Sequence, residues 1–273
     1  MLAEKAVESL IIMDTCNDSL AKVPEALGVT KPAKSDARTD GPGFLYLGGG
    51  GSAEDEANVW NEAFKSGQRI VIWPFAQPRD CWAGTLAWFT GAMAARGELS
   101  TTSVSGSITL ADLLPGGGLE EPEIVLIPGG NTFELLGILR SHGLLKNLEE
   151  FLAMGGKLYG GSAGAILVGA DIGLADVERG GLDKNTIGLQ DTQGMGLIGD
   201  IAVYPHWEQQ GAEAGYERWA KEKSLRVLGL PENSGVVIDL AGRKGINKGP
   251  ADIILFSPDG GNRKLKVGES FVF

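Results

Sequence analysis

Short apolar runs that end in glycine and lead straight into helical patterns recur along the first two thirds of this chain. "FLYL" (44–47) runs into "GGGGS" and then "AEDEANVWNEAF"; "RIVIWPFA" (69–76) leads to "CWAGTLAWFTGAMAARG". "EIVLIPGG" (123–130) precedes "NTFELLGILRSHGLLKNLEEFLAMGG", and "KLYGG" (157–161) precedes a helical stretch beginning at Ser162 or Ala163. Runs this short, apolar at successive positions and separated by helices, fit a parallel sheet buried on both faces. The expectation is an α/β fold with a doubly wound, mostly parallel sheet and helices on both faces. Ser52 is expected to cap the first of these helices, with acidic residues in its first turn.

After residue 200 the pattern changes to "DIAVYP", "RVLGLP", "GVVIDL", "DIILFS" and "ESFVF". These read as short strands separated by turns, forming additional antiparallel edge strands near the C-terminus. Residues 1–43, ending in the polar, Pro- and Gly-containing "GVTKPAKSDARTDGPG", read as an N-terminal extension or linker. Residues 44–273 read as a single α/β domain. With 273 residues the chain is long enough for one sizeable core.

Charge and cysteine content remove several classes of function. A net charge of −11 without a basic stripe argues against a nucleic-acid partner. No run reaches membrane-span length, and the N-terminus is a poor signal peptide, so a cytoplasmic protein without a membrane partner is expected. Cys16 and Cys81 give neither a disulfide framework nor metal-ligand spacing and are expected to be buried or incidental thiols. The Gly48–Gly51 run lacks the full dinucleotide fingerprint and opens onto acids that would repel a pyrophosphate, and no phosphate-binding Gly-Lys-Ser/Thr sequence occurs. No cofactor and no metal are expected.

Ligands of an open parallel sheet gather beyond the carboxyl ends of its strands. Gly160-Gly161-Ser162-Ala163-Gly164 lies at such an end and matches G-x-S-x-G between a strand and a helix. A nucleophile on so sharp a turn needs small neighbours, and the following helix aims free N–H groups, that of Ala163 included, at a developing oxyanion. The chain has two histidines. His142 sits between apparent helices, whereas His206 follows an apolar strand, where a base would sit. For the group that orients the imidazole, Glu232 is the leading candidate, with Asp200, Asp191 and Asp183 as competitors.

These pieces, in this order, resemble the peptidase E / cyanophycinase family of serine peptidases over roughly residues 44 to 240. The resemblance rests on "FLYLGGGGSAEDE", "RIVIWPFA", "IPGGNTFELLGILR", "YGGSAGAILVGADI" and "GMGLIGDIAVYPHW". It implies a doubly wound fold related to that of the glutamine amidotransferases. It also implies Ser162 as nucleophile on a strand–elbow–helix turn, His206 as general base and Glu232 as third member. The amides of Gly130 and Ala163 would form the oxyanion hole, and Asn131 would line the substrate cleft. The implied activity is acyl-enzyme hydrolysis of short peptides, as a dipeptidase with a preference for N-terminal Asp. Such a preference calls for a cation, and Arg79 and Arg179 are the candidates. A cyanophycinase-like or other amide hydrolase, and a non-catalytic binding protein that keeps the fold, are the alternatives. The expected partner is a short peptide, and the expected assembly a monomer or homodimer.

Overall fold

The structure, a computed structural model, describes residues 42–65, 68–95, 103–106, 123–210 and 213–273. The expected N-terminal extension therefore lies almost wholly outside the described residues.

Strands β1 (Phe44–Gly48), β2 (Arg69–Ile72), β3 (Ser103–Gly106), β4 (Ile124–Ile127) and β5 (Lys157–Gly161) pair in parallel in the order β1-β5-β4-β2-β3. Helices α1 (Ala57–Ala63), α2 (Trp82–Ala95), α3 (Thr132–Ser141), α4 (Leu144–Ala153) and the short α5 (Ala163–Leu167) connect or follow them. Period-two alternation distributes each strand between two cores. Leu45, Leu47, Val71, Val125, Ile127 and Leu158 face the core that contains residues of α3, α4 and α5. Tyr46, Ile70, Ile72, Ile124, Leu126 and Tyr159 face the core that contains residues of α1 and α2. The central runs Leu45–Leu47, Ile70–Ile72 and Ile124–Ile127 are apolar at successive positions because both faces are covered. Each fully buried aliphatic side chain contributes roughly 2 kcal/mol of transfer free energy.

The C-terminal third departs from expectation. Strands β8 (Gly235–Asp239), β9 (Lys244–Asn247) and β12 (Ser270–Val272) do extend the main sheet antiparallel, beside β1. Strands β6 (Ile201–Pro205), β7 (Arg226–Leu230), β10 (Ile253–Phe256) and β11 (Arg263–Leu265) instead form a separate four-stranded sheet in the order β11-β10-β7-β6. Within it β6 and β7 are parallel. A parallel pair needs a crossover, and this one carries α6 (Trp207–Gln210) and α7 (Glu213–Lys223). The segment "WEQQGAEAGYERWAKEK" is charged on most of its surface, so only Tyr216, Trp219 and Ala220 mark the buried stripe of α7. One face of this second sheet joins the core around α5 through Ile201, Val203, Leu228 and Leu230, and the other packs on α7.

Two smaller expectations also change. Helix α1 begins at Ala57 with Glu56 as its N-cap, so Ser52 does not cap it; Ser52 closes a preceding turn by bonding to Asp55. Cys81 is buried and disulfide-bonded rather than a thiol, and Cys16 lies outside the described residues. Two cysteines so far apart in the chain carry no spacing signal that could have shown this. No helix among the described residues is long and apolar enough to cross a membrane.

Candidate functional site

The parallel register of β6 and β7 pairs Pro205 with Leu230, at the ends of the two strands. His206 is the residue after one end and Glu232 lies two residues past the other, so both side chains emerge at the same edge. This edge meets the carboxyl end of β1: His206 N–H donates to Gly49 O at 3.1 Å, and Gly49 N–H donates to Ser234 O at 3.0 Å. The second sheet is thereby docked beside the end of β5, where Ser162 follows Gly161.

Ser162 stands between β5 and α5 with φ 48° and ψ −109°, a left-handed backbone for a residue with a side chain. The turn fits only because its flanking residues lack side chains. A Cβ on Gly160 would lie 2.5 Å from Gly164 O, and one on Gly164 would lie 2.2 Å from Ile127 O. His206 is also left-handed, at φ 55°. Its Nε2 lies 3.0 Å from Ser162 Oγ and its Nδ1 lies 2.7 Å from Glu232 Oε1. The imidazole and carboxylate are mostly buried, with side-chain exposures of 11% and 20%.

The carboxylates that compete with Glu232 in the sequence have other partners. Asp200 is ion-paired with Arg226, whose hydrogen bonds hold its carboxyl below the usual range. Asp191 pairs with Arg140 at 3.1 Å, and Asp183 accepts the Thr132 N–H at 2.8 Å. His142 is the exposed C-cap of α3.

A small cleft beside Ser162 is lined by Ser162, Ile166, Ala175, Leu182, Asp183, Tyr204, Pro205 and His206. Gly129 and Gly130 follow β4 at the same edge, and a Cβ on Gly129 would lie 3.1 Å from Ser162 Cβ. Asn131 caps α3, accepting from the Phe133 and Glu134 amides at 3.0 Å, and donates through Nδ2 to Lys184 O at 2.8 Å. Its polar atoms thus hold the 183–185 loop against the start of α3. Arg79 and Arg179 are exposed residues in short 3₁₀ turns, Arg79 lying 5.8 Å from the Trp82 ring centroid. Neither belongs to the lining of the cleft, in which no Lys or Arg occurs among the described residues.

Two carboxylates behind the site were not legible in the sequence. Glu208 Oε1 accepts the Glu232 N–H at 2.7 Å and so holds the backbone that carries Glu232. Glu56, which reads as one of several acids at a helix start, is 1% exposed. Its Oε1 accepts from the Gly50 and Gly51 amides at 2.7 and 3.2 Å, and its Oε2 from Trp60 Nε1 at 3.2 Å and from the Tyr159 hydroxyl. Gly50 lies against the imidazole so closely that a Cβ there would be 2.2 Å from both Cε1 and Nε2 of His206. Glu56 therefore joins the turn behind His206 to the strand that leads into Ser162. The signal that could have found it is the glycine run itself, whose bare amides need an acceptor.

Burial pushes the Glu56 carboxyl up to about 7, against the lowering effect of its bonds from Tyr159, Gly50 and Trp60. Because the folded value exceeds the ordinary one of 4.5, this group's contribution favours the fold fully below pH 4.5 and is lost as the pH rises through about 7. Glu56→Gln carries no such titration. Between pH 5 and pH 8 the wild type is expected to lose on the order of 2 kcal/mol relative to the variant. Urea unfolding of both proteins at the two pH values checks this, and parallel pH dependences would contradict it.

Comparison with known proteins agrees with this architecture. Residues 65–243 match the model of peptidase family S51. Peptidase E of Escherichia coli (strain K12 / DH10B) is 27% identical over 189 residues, covering 65% of this chain and 76% of the relative; peptidase E of Escherichia coli O6:K15:H31 (strain 536 / UPEC) matches to the same extent. Two crystal structures share the fold. A putative peptidase E protein from Listeria monocytogenes EGD-e has a TM-score of 0.58 at 20% identity, over 77% of this chain and all of that one. A peptidase from an acI-B1 Actinobacterium has a TM-score of 0.59 at 18% identity, over 86% and 99%. With the family model covering well over half of its length, the chain belongs to peptidase family S51.

Proposed function

We propose that this protein is a serine peptidase that hydrolyses short peptides through an acyl-enzyme. The observation that carries the reading is the unbroken hydrogen-bonded chain from Ser162 Oγ to His206 Nε2 and from His206 Nδ1 to Glu232 Oε1. On this reading the strained turn at Ser162 is a nucleophile elbow, whose backbone keeps the hydroxyl clear of its own helix.

His206 takes the hydroxyl proton as Ser162 Oγ attacks the peptide carbonyl, and Glu232 stabilises the resulting imidazolium. The oxyanion lies against the amides of Gly130 and Ala163. In support, neither N–H is bonded to an acceptor among the described residues, and the two residues lie shortly past the ends of β4 and β5. Each such donor is worth on the order of 10²–10³ in rate. The C–N bond then breaks as His206 passes its proton to the leaving amine. Water, deprotonated by the same imidazole, attacks the acyl-enzyme and releases Ser162 with its proton restored.

Asn131 shapes the cleft indirectly, through its hold on the loop that carries Asp183 and Lys184. A preference for N-terminal Asp requires a cation at the substrate side chain; Arg79 and Arg179 are the candidates, although neither lines the cleft. The name peptidase E borne by the relatives supports a peptide as substrate. The test is a panel of Asp-X, Glu-X, Asn-X and Leu-X dipeptides, longer peptides with N-terminal Asp, and β-Asp-Arg, run alongside labelling by a fluorophosphonate. Turnover together with a label located on Ser162 is expected. Absence of both overturns the reading, and cleavage of β-Asp-Arg alone moves the substrate class to the cyanophycinase type.

A further inference from the structure

We infer that Asp183 is the substrate anchor of this site, and that it binds the α-ammonium group of a peptide whose first bond is presented to Ser162. The inference rests on the reading of Ser162 as the nucleophile and adds to it the group that sets the register of cleavage.

Asp183 shares the small cleft with Ser162 and His206. The rest of the lining, Ile166, Ala175, Leu182, Tyr204 and Pro205, is apolar or aromatic. A carboxylate in such a wall is costly unless something satisfies it. Burial accordingly pushes its carboxyl upward, against the effect of its Thr132 bonds and of His206, while Asp176 adds to the rise. Its backbone is fixed on both sides, Asp183 N–H donating to Ala175 O and Val177 N–H donating to Asp183 O, each at 2.8 Å. One oxygen, Oδ2, takes the Thr132 amide at the start of α3. An ionised carboxylate has about four acceptor positions, so this bond orients the group without exhausting it. The cleft thus offers one fixed anion in an apolar wall, and the complementary ligand group is a cation with hydrogen-bond donors.

Covalent geometry then selects which cation. In a peptide the α-nitrogen lies about 2.5 Å from the carbonyl carbon of its own residue, given the N–Cα and Cα–C bond lengths and the angle between them. A group that holds the α-ammonium while Ser162 attacks that carbonyl must therefore sit within one small cleft with the serine. The ammonium of a lysine side chain lies several bonds farther away, on a flexible stem. A carboxylate that shares its cleft with the attacking hydroxyl suits the near cation, and it makes the enzyme act one residue from a free N-terminus.

The test separates binding from chemistry. Ser162→Ala protein is titrated by calorimetry with Ala-Leu, N-acetyl-Ala-Leu and N-acetyl-Lys-Leu, and the series is repeated on Ser162→Ala/Asp183→Asn. The Asn side chain keeps an acceptor for the Thr132 amide, and acetylation of the ligand probes Asp183 without any change at that position. The expected result is at least tenfold tighter binding of Ala-Leu than of its acetylated form, with the difference abolished by Asp183→Asn. Equal affinities, no binding of any peptide, or a discrimination that survives Asp183→Asn overturns the assignment. Tight binding of N-acetyl-Lys-Leu also overturns it, in favour of a side-chain amine. Wild-type hydrolysis of the same peptides distinguishes the two readings. Discrimination without turnover removes the peptidase and leaves the anchor, whereas equal turnover of free and acetylated peptides removes the anchor and leaves the peptidase.

Discussion

Replacing Ser162 with Ala is expected to lower kcat/KM on any cleaved peptide by about 10⁶, the scale seen when the nucleophile of a triad is removed. The loss follows from the proposed chemistry, in which no acyl-enzyme forms without Oγ and His206 has no proton to accept. The backbone amides of Gly130 and Ala163 remain, so a small residual acceleration over water survives. The fold should be indifferent to the change. Ser162 Oγ bonds to His206 Nε2, and the left-handed backbone at φ 48° costs Ala about what it costs Ser. A thermal midpoint within about 2 °C of wild type, corresponding to no more than about 1 kcal/mol for a domain of this size, is the expected accompaniment. Wild-type turnover in a Ser162→Ala preparation free of contaminating peptidase would remove the serine from the mechanism.

Glu232→Gln is expected to lower kcat by about 10³–10⁴ with KM little changed. The amide is isosteric, so the 2.7 Å contact to Nδ1 is retained, but it presents either a donor or a neutral acceptor where the carboxylate offers a charge. As a donor it favours the tautomer with the proton on Nε2, which cannot accept from Ser162. As a neutral acceptor it leaves the imidazolium of the transition state without a counter-charge. The carboxylate is 20% exposed, and this solvent access keeps the effect below that of losing the serine. Steady-state kinetics of the variant check the split between kcat and KM. A change confined to KM would instead place Glu232 in substrate binding.

The two predictions differ in how far the sequence alone supports them. Ser162 is legible because a left-handed turn between strand and helix admits few residue types beside it, and the glycines at 160 and 164 record that restriction in the sequence. His206 is legible by scarcity, since only one other histidine exists and it lies among helical residues. Glu232 is one of four plausible carboxylates. The parallel register of β6 with β7 brings it to the imidazole, together with the ion pairs that occupy Asp200 and Asp191. That register was hidden because the charged crossover through α7 carries so narrow an apolar stripe. The second sheet consequently reads as more edge of the first.

Glu56 and Asp183 mark where local sequence stops being informative. Both sit in polar stretches, "SAEDEA" and "GGLDKN", in which an acid is ordinarily solvated. Glu56 is buried because the glycine turn folds back over it and Tyr159 and Trp60 close the other side. Asp183 is held at the cleft by the amide of Thr132, 51 residues away in the chain.

What the sequence by itself determined is the alternation of buried strands and helices, the glycine-bounded turn at Ser162, and the shortage of imidazoles. All of these follow from local sterics, from hydrophobic periodicity and from counting. Only the tertiary structure decided which sheet β6 and β7 join, which carboxylate faces His206, and which acids are taken out of water. Those outcomes depend on pairing and burial between residues distant in the chain, and no local pattern encodes the dielectric or the partners that a side chain meets once the fold has closed around it.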